Sequence, residues 1–313
     1  MQDAIKEIVS LKLGKVLINE KISNYTTYRV GGKVRAICYP KGEEELIKLI
    51  SLLKEKNIKY FILGNGSNVL FSDELYDGII IKLDNFNKMS VDGNKITVGA
   101  GYPLIKLSND AMRNSLIGLE FANGIPGTVG GAIFMNAGAY GEDMSKIVES
   151  VRVLTSDGKI KEFSNKEMKF SYRTSMLQDH LDYVCIGATL KLDSGNSEEI
   201  EKIMRERREQ RKASQPLNLP SAGSVFRNPE GMYAGKMIED MGLKGYTIGR
   251  AMISTKHANF IVNMGNAKAS DIKRIIDLVK QKALIKYNVK LRVEQRLINW
   301  VGDPLAKESE KKD

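Results

Sequence analysis

The stretch Gly124-Ile125-Pro126-Gly127-Thr128-Val129-Gly130-Gly131-Ala132-Ile133-Phe134-Met135-Asn136-Ala137-Gly138-Ala139-Tyr140-Gly141 carries six of the chain's 28 glycines in eighteen residues. Each glycine held in ordered backbone costs roughly 0.5–1 kcal/mol relative to alanine, because it gives up more conformational freedom on folding. A plain connector needs one or two glycines. This density suits a backbone brought close to a large flat or phosphorylated ligand, with tight internal packing of small residues as the alternative. A second loop of the kind lies upstream, Leu63-Gly64-Asn65-Gly66-Ser67-Asn68-Val69, between two apolar runs. Its glycines permit positive φ and turn N–H groups toward an anion, and Ser67 and Asn68 add side-chain donors. A hairpin turn at Asn-Gly is the competing reading. The loop is not a Rossmann fingerprint, since Val69 holds the third glycine position and no clear helix follows. Two separated glycine loops fit a dinucleotide held outside a Rossmann fold.

Working outward, 313 residues call for two domains, or one with subdomains. A composition 42% hydrophobic and 27% charged is that of an ordinary globular protein. There is no apolar run long enough to span a bilayer and no basic-then-apolar start of a signal peptide, so the expected compartment is the cytoplasm. Two cysteines, Cys38 and Cys185, read as buried thiols rather than as a disulfide framework or metal site. The only histidines, His180 and His257, argue against a zinc centre or a Ser-His-Asp hydrolase, and no metal is expected. The net charge of +10 favours anionic partners such as nucleotides and phosphorylated or carboxylated metabolites. The tail Lys307–Asp313 reads as a solvated end.

Hydrophobic periodicity predicts a helix over 43–57 and strands at Lys59–Leu63, Val69–Phe71, Ile79–Leu83 and Lys95–Val98. A helix over Leu104–Leu116 would bury Leu104, Leu107, Ala111 and Met112. Strands around Ser150–Thr155 and Tyr183–Leu192 are read as joined by the turn Ser156–Lys159. A composition shift follows Asp193–Ser197, with Asn196 and Glu199 spaced as a capping box for a charged helix reaching about Lys212. A late helix, Asp271–Tyr287, places Ile272, Ile275, Ile276 and Val279 on one face, and Lys290–Ile298 alternates as a strand. Strands and helices do not alternate strictly, so the class is α+β.

The glycine stretch also resembles a known family, UDP-N-acetylenolpyruvoylglucosamine reductase. The resemblance is collinear: Tyr28-Arg29-Val30-Gly31-Gly32, Gly64–Asn68, the long stretch, Ser171-Tyr172-Arg173-Thr174-Ser175, Pro220–Pro229 and the region of Glu294. It implies an FAD-binding domain of the vanillyl-alcohol oxidase (PCMH) type, made of two α+β subdomains, plus a C-terminal α+β substrate-binding domain. The implied ranges are an N-terminal segment 1–24, FAD-binding subdomains of about 25–90 and 91–194, a substrate domain 195–303 and a charged tail 304–313. It implies non-covalent FAD, NADPH as electron donor, and UDP-N-acetyl-3-O-(1-carboxyvinyl)-glucosamine as substrate, with no nucleic acid, membrane or protein partner.

By that resemblance Arg173 would bind the substrate carboxylate and the charge growing on it, Ser224 would donate the proton, and Glu294 would be the catalytic acid. On a period-2 strand Glu294 would share a face with Arg292 and Arg296, which would favour an ion-paired carboxylate. The expected cofactor residues are Gly64, Asn65, Gly66, Ser67, Asn68, Gly127, Thr128, Gly130, Gly131, Ala132, Asn136, Gly138, Ala139 and Arg296. The expected substrate residues are Tyr172, Asn228 and, for the diphosphate, Lys212 or Arg211. The interleaved Glu201, Glu206 and Glu209 make a solvated face the ordinary reading of the remaining cations on that helix.

There are departures. After Asn228-Pro229 no insertion carries a clamping tyrosine, so the chain resembles a shorter subclass without that loop. Leu177 and Gln295 stand where Phe and Val are expected, with an effect expected on packing alone. Competing readings are an oxygen-using flavin oxidase of the same fold and a non-catalytic nucleotide-binding protein. The first often tethers FAD through His or Cys, absent from the matched loops, and the second lacks any basic motif with interleaved aromatics.

Overall fold

The computed structural model describes residues 1–300; the tail expected at 304–313 and residues 301–303 lie outside the described part. Contacts divide the chain into two compact units. Unit one is Met1–Ile18, Arg35–Asn65 and Asp77–Glu209; unit two is Asn19–Val34, Gly66–Tyr76 and the described residues from Gln210 onward.

Unit one is built on two sheets. The first orders its strands Gly14–Ile18, Val34–Pro40, Tyr76–Ile81 and Tyr60–Ile62, and the last two are parallel. The second, antiparallel throughout, orders Ile160–Ser164, Val148–Leu154, Val184–Lys191, Lys95–Gly99 and Met89–Asp92. The helices are α1 (Gln2–Ser10), α2 (Glu43–Glu55), α3 (Leu104–Arg113), α4 (Val129–Phe134) and most of α5 (Ser197–Ser214). In α2, acidic Glu43–Glu45 in the first turn and Lys54 in the last complement the helix dipole, while Leu46, Leu49, Ile50 and Leu53 are buried. They join one core with Ile79 and Ile81 of the first sheet and Val98, Val151 and Val153 of the second. That shared core is why the ranges 25–90 and 91–194 do not separate as compact bodies here.

Unit two gathers three separated segments around α7 (Ala269–Tyr287). Ile272, Ile275, Ile276 and Val279 are buried as their spacing predicts, and Asn288 in the left-handed region, φ 53°, ends the helix. A three-stranded sheet (Thr247–Ile248, Ala251–Ile253, Ile261–Asn263), α6 (Ala234–Asp240), and a parallel pair of Val69–Phe71 with Arg296–Ile298 complete it. Tyr28, Val30 and Leu70 belong to this core, so residues 19–34 and 66–76 fall with unit two rather than with the range 25–194. The later boundary falls at Glu209, inside α5, rather than at 194.

Several elements differ from the sequence reading. Leu116 leaves the helix and pairs in a two-residue strand with Ser194. The Ser156–Lys159 turn leads to the strand Ile160–Ser164, which was missed, and not directly to Val184. Asn196 does cap α5, its Oδ1 accepting from the N–H groups of Glu198 at 2.8 Å and Glu199 at 3.3 Å. The strand expected over Lys290–Ile298 contracts to Arg296–Ile298. Val293 bridges Phe226 antiparallel, whereas Arg296 pairs with Val69 in parallel, so the segment changes partner between them, at a bend at Gln295. Gly64–Asn68 is not a hairpin: the strands on either side pair with Tyr76–Ile81 and Arg296–Ile298, not with each other.

Candidate functional site

In unit one the glycine stretch is a turn, then α4, then a small hairpin. Val129 and Gly130 donate backbone hydrogen bonds to Tyr102 and Ala100 at 3.0 and 2.8 Å, pinning the start of α4 to the end of the second sheet. Thr128 caps it, its hydroxyl accepting from the Gly131 N–H at 3.3 Å. The glycines divide by what surrounds them. A Cβ on Gly130 would lie 2.9 Å from the Ala100 Cβ, and one on Gly138 would lie 2.5 Å from the Asp143 Cβ. These two let the protein approach itself. Gly131 is exposed, with nothing nearer than the Thr128 Oγ1 at 3.5 Å, and a Cβ on Gly141 would meet nothing within 4 Å. The upstream loop is drawn to the same place, since the Asn65 amide donates to the carbonyls of Pro126 and Gly127, both at 3.2 Å. A Cβ on Gly64 would press on the Thr128 hydroxyl at 2.6 Å.

Lys82 was not singled out from the sequence. It is buried, 7% exposed, and its ammonium donates to the Gly64 carbonyl at 2.9 Å, 3.3 Å from Asp84. Its one signal was a cation inside the apolar run Ile79–Leu83.

The segment Ser171-Tyr172-Arg173-Thr174 is a tight turn, closed by reciprocal backbone bonds between Ser171 and Thr174 at 3.1 and 3.0 Å. Arg173 has φ 57°, a left-handed conformation that costs a bulky residue roughly 1–2 kcal/mol. Its Nη2 donates to the Gly138 carbonyl at 2.8 Å and its guanidinium lies 5.2 Å from the centre of the exposed Tyr172 ring. Asn136, expected at the cofactor, is buried (2% exposed). Its amide nitrogen donates to the Ser171 carbonyl at 3.0 Å and its oxygen accepts from Ser145 N–H at 2.9 Å. The side chain thus ties the glycine stretch to the Arg173 turn. Gln178, also unforeseen, adds a donor to the carbonyls of Arg173 (3.0 Å) and Phe134 (2.9 Å). Ala132 is a core residue, 3% exposed. Gly138 and Ala139 form one side of the hairpin with Glu142 and Asp143.

Unit two brings Asn68, Ser224, Glu294 and Arg296 onto one backbone network. Ser224 bridges Phe260, Glu294 N–H donates to the Val225 carbonyl at 2.8 Å, and Arg296 N–H donates to the Asn68 carbonyl at 2.9 Å. The Asn68 amide returns a bond to the Glu294 carbonyl at 3.2 Å. Glu294 and Arg296 are both half-buried. Gly66 has φ 64° and its carbonyl accepts from Thr27 N–H at 3.1 Å; a Cβ there would meet Thr26 Cα at 2.7 Å. Asn228 is exposed and its side-chain oxygen accepts from Ala234 N–H at 3.1 Å, capping α6. Lys212 is exposed at the edge of a cleft of about 430 Å³ that also includes Gln215, Leu217, Met252, Thr255 and Lys256.

Gln295 does more than fill space, contrary to the expectation. It is 3% exposed, accepts from the Tyr28 hydroxyl at 3.1 Å, and donates to the carbonyls of Ala222 and Gly223 at 3.1 and 3.3 Å. Cys38 and Cys185 are buried, and burial pushes each thiol up to about 12. Among the described residues no group of three or more His, Cys, Asp or Glu is arranged to hold a metal ion, and no helix is long and apolar enough to cross a membrane.

Comparison with known proteins bears on both units. Residues 34–164 match an FAD binding domain family, and residues 215–298 match the C-terminal domain of UDP-N-acetylenolpyruvoylglucosamine reductase. The chain is 46% identical to the UDP-N-acetylenolpyruvoylglucosamine reductase of Caldanaerobacter subterraneus subsp. tengcongensis, over 95% of this chain and 97% of that protein. It is 42% identical to the protein of the same name from Bacillus subtilis, over 95% and 99%. The crystal structure of the Thermus caldophilus reductase superposes with a TM-score of 0.78 at 35% identity, covering 91% of this chain and 98% of that one. The fold is therefore α+β, an FAD-binding domain followed by the C-terminal domain of the reductase family. Identity of this extent over nearly the whole chain shows that it belongs to the UDP-N-acetylenolpyruvoylglucosamine reductase family.

Proposed function

We infer that the protein is a flavoprotein oxidoreductase that uses NADPH and FAD to reduce the enolpyruvyl ether of UDP-N-acetylglucosamine to UDP-N-acetylmuramate, a step of peptidoglycan precursor synthesis. The observation that carries this reading is the 46% identity over 95% of the chain with a reductase of that name. The residues present fit FAD. The exposed helical Gly131 leaves open backbone where a side chain would intrude on a ligand, and the Asn65 and Lys82 bonds fix the Gly64 loop against residues 126 and 127. From unit one Gly64, Asn65, Gly127, Thr128, Gly130, Gly131, Gly138 and Ala139 would serve the cofactor. From unit two Gly66, Ser67, Asn68 and Arg296 are proposed for the same task.

When bound, FAD supplies a hydride for the terminal vinyl carbon. Negative charge then builds on the adjacent carbon of the substrate and spreads into its carboxylate. Arg173 would take that carboxylate: its fork is planar and permanently charged, and the bond to Gly138 fixes its orientation in advance. Ser224 would give a proton to the adjacent carbon, with Glu294 as the neighbouring acid. A hydroxyl is a weak acid, and only a strongly basic carbanion-like centre makes the transfer favourable. Tyr172, Asn228 and Lys212 are the proposed substrate contacts, although Asn228 also caps α6. Substrate and electron donor are cytoplasmic metabolites, so we place the reaction in the cytoplasm.

The test is kinetic. Purified protein should carry a non-covalent flavin spectrum, and the substrate should accelerate NADPH oxidation. Ser224→Ala should leave flavin reduction by NADPH intact and slow substrate reduction. Loss of both halves would contradict a proton donor, and rapid oxygen-driven turnover without substrate would favour an oxidase.

A further inference from the structure

The motif beginning at Tyr28 has no part in the chemistry above, yet Tyr28 is fully buried in unit two (0% exposed) with its hydroxyl on a single glutamine. That glutamine, Gln295, lies between Glu294 and Arg296. Its amide nitrogen holds the carbonyls of Ala222 and Gly223, the two residues preceding Ser224, while its oxygen accepts from Tyr28 at 3.1 Å. Gly223 has φ 72°, so the approach to Ser224 is a left-handed turn whose carbonyls need an outside donor. Burial raises the Tyr28 pKa, which keeps its hydroxyl a neutral donor.

A buried primary amide is costly unless each of its groups is satisfied, and a valine, as the resemblance leads one to expect, would fill the core without that cost. The valine could make none of these three bonds. What the glutamine adds is geometry: a rigid, satisfied network fixes one arrangement of the backbone it touches. Here that backbone carries Ser224.

We propose that Tyr28 and Gln295 are positioning residues, a buried hydrogen-bonded brace that orients the Ser224 hydroxyl for proton transfer to the substrate. This rests on Ser224 being the proton donor.

The two half-reactions are measured separately by stopped flow on the FAD-loaded protein: flavin reduction by NADPH, then flavin reoxidation by substrate. Gln295→Met should slow the second at least about tenfold, as expected for a displaced reacting group, with the first changed less than about twofold. Adding Gln295→Met to Ser224→Ala should slow the second step no further than Ser224→Ala alone. Tyr28→Phe removes one hydroxyl and serves if the glutamine variant folds poorly. It should give a smaller loss confined to the same step. In the double variant Tyr28→Phe/Gln295→Met no buried hydroxyl is left unpaired, so thermal stability should recover toward wild type. The second step should stay slow, because the Ala222 and Gly223 carbonyls still lack their donor.

Equal losses in both half-reactions, rates that recover with stability in the double variant, or effects that multiply with Ser224→Ala would each overturn the brace. If Ser224→Ala itself leaves the second step unchanged, it is the proton-donor reading that fails.

Discussion

Gly130 and Gly131 are neighbours in one short helix, and alanine should act on them with opposite sign. In a helix interior alanine is favoured over glycine by up to about 1 kcal/mol. At Gly131 nothing opposes that gain: the residue is exposed and the nearest atom to a new Cβ is the Thr128 Oγ1 at 3.5 Å. At Gly130 the new Cβ would lie 2.9 Å from the Ala100 Cβ and 3.2 Å from the Ala100 carbonyl oxygen, against a carbon–carbon optimum of about 3.5–4.0 Å. Ala100 cannot yield freely, since its carbonyl accepts the Gly130 N–H and its own N–H donates to Ile186. Overpacking of this kind costs about 1–3 kcal/mol, which outweighs the helical gain and leaves Gly130→Ala less stable by about 1 kcal/mol. For a domain of this size that is a fall in Tm of about 2–4 °C, and Gly131→Ala should rise by a similar amount in flavin-free protein. With FAD the second sign should reverse. A methyl group on the open face should weaken FAD binding tenfold or more, about 1.4 kcal/mol, so loaded Gly131→Ala should lose its advantage. Thermal unfolding of both variants with and without FAD, plus a flavin fluorescence titration, gives all four quantities. Gly130→Ala as stable as Gly131→Ala without flavin would refute the packing argument, and Gly131→Ala gaining as much with FAD as without would refute the cradle.

Three further outcomes are expected. In Arg173→Asn, relief of the left-handed arginine (about 1–2 kcal/mol) should offset part of the stability lost with its contacts, the bond to Gly138 among them (about 1 kcal/mol). Substrate reduction should nonetheless fall about 100- to 1,000-fold in steady-state assays, the range for removing one preorganised charge-stabilising group. His257 is partly buried and burial lowers its pKa, while its Nδ1 accepts from Asn259 N–H at 3.2 Å. The folded state therefore takes up the proton later than the unfolded chain, so this contribution to stability is complete above about pH 6.5 and is lost as pH falls from there through the lower pKa of the folded state. His257→Gln should flatten thermal melts compared at pH 7.5 and 5.5, and an unaltered slope would count against it. Cys38 and Cys185, with thiols pushed up to about 12, should react with a disulfide reagent at pH 8 only at the rate of unfolding; a fast phase in native protein would show a thiol more accessible than its burial allows.

Where local pattern and tertiary partner agree, the sequence was a sufficient guide. The spacing of Ile272, Ile275, Ile276 and Val279 identified the buried face of α7, and the Val69–Phe71 strand was read to the residue. The errors cluster where long-range pairing decides. Alternation over Lys290–Ile298 predicted one strand, but residue 293 bonds to one neighbour and residue 296 to another, and alternation carries no information about such a change of partner. Leu116 fits the helical period of α3 yet pairs with Ser194, a choice set by a segment remote in the chain. In the glycine stretch, ligand approach and internal packing were rival explanations; Gly131 suits the first, Gly130 and Gly138 satisfy the second, and Gly141, with φ 78°, answers to turn geometry instead. Site residues with a motif could be named in advance. Lys82 and Gln178 could not, and Gln295 drew notice only as a packing change, because each acts by bonding a backbone carbonyl from a distant position, and such carbonyls leave no trace in side-chain identity.

The parallel pairing of Val69–Phe71 with Arg296–Ile298 also constrains how the molecule comes off the ribosome. Ser72 and Asn299, bonded at 3.0 Å beside that pair, are separated by 227 residues. At about 5–20 residues per second, an emerging chain would hold the apolar strand around Leu70 without its partner for roughly 10–50 s. An unpaired hydrophobic strand is a template for wrong pairing. Unit one has its last residue by Glu209 and can begin to organise first, so the period of greatest exposure to aggregation belongs to unit two. A nascent chain halted before Ile298 would present that strand edge to chaperones and proteases for as long as the stall lasts.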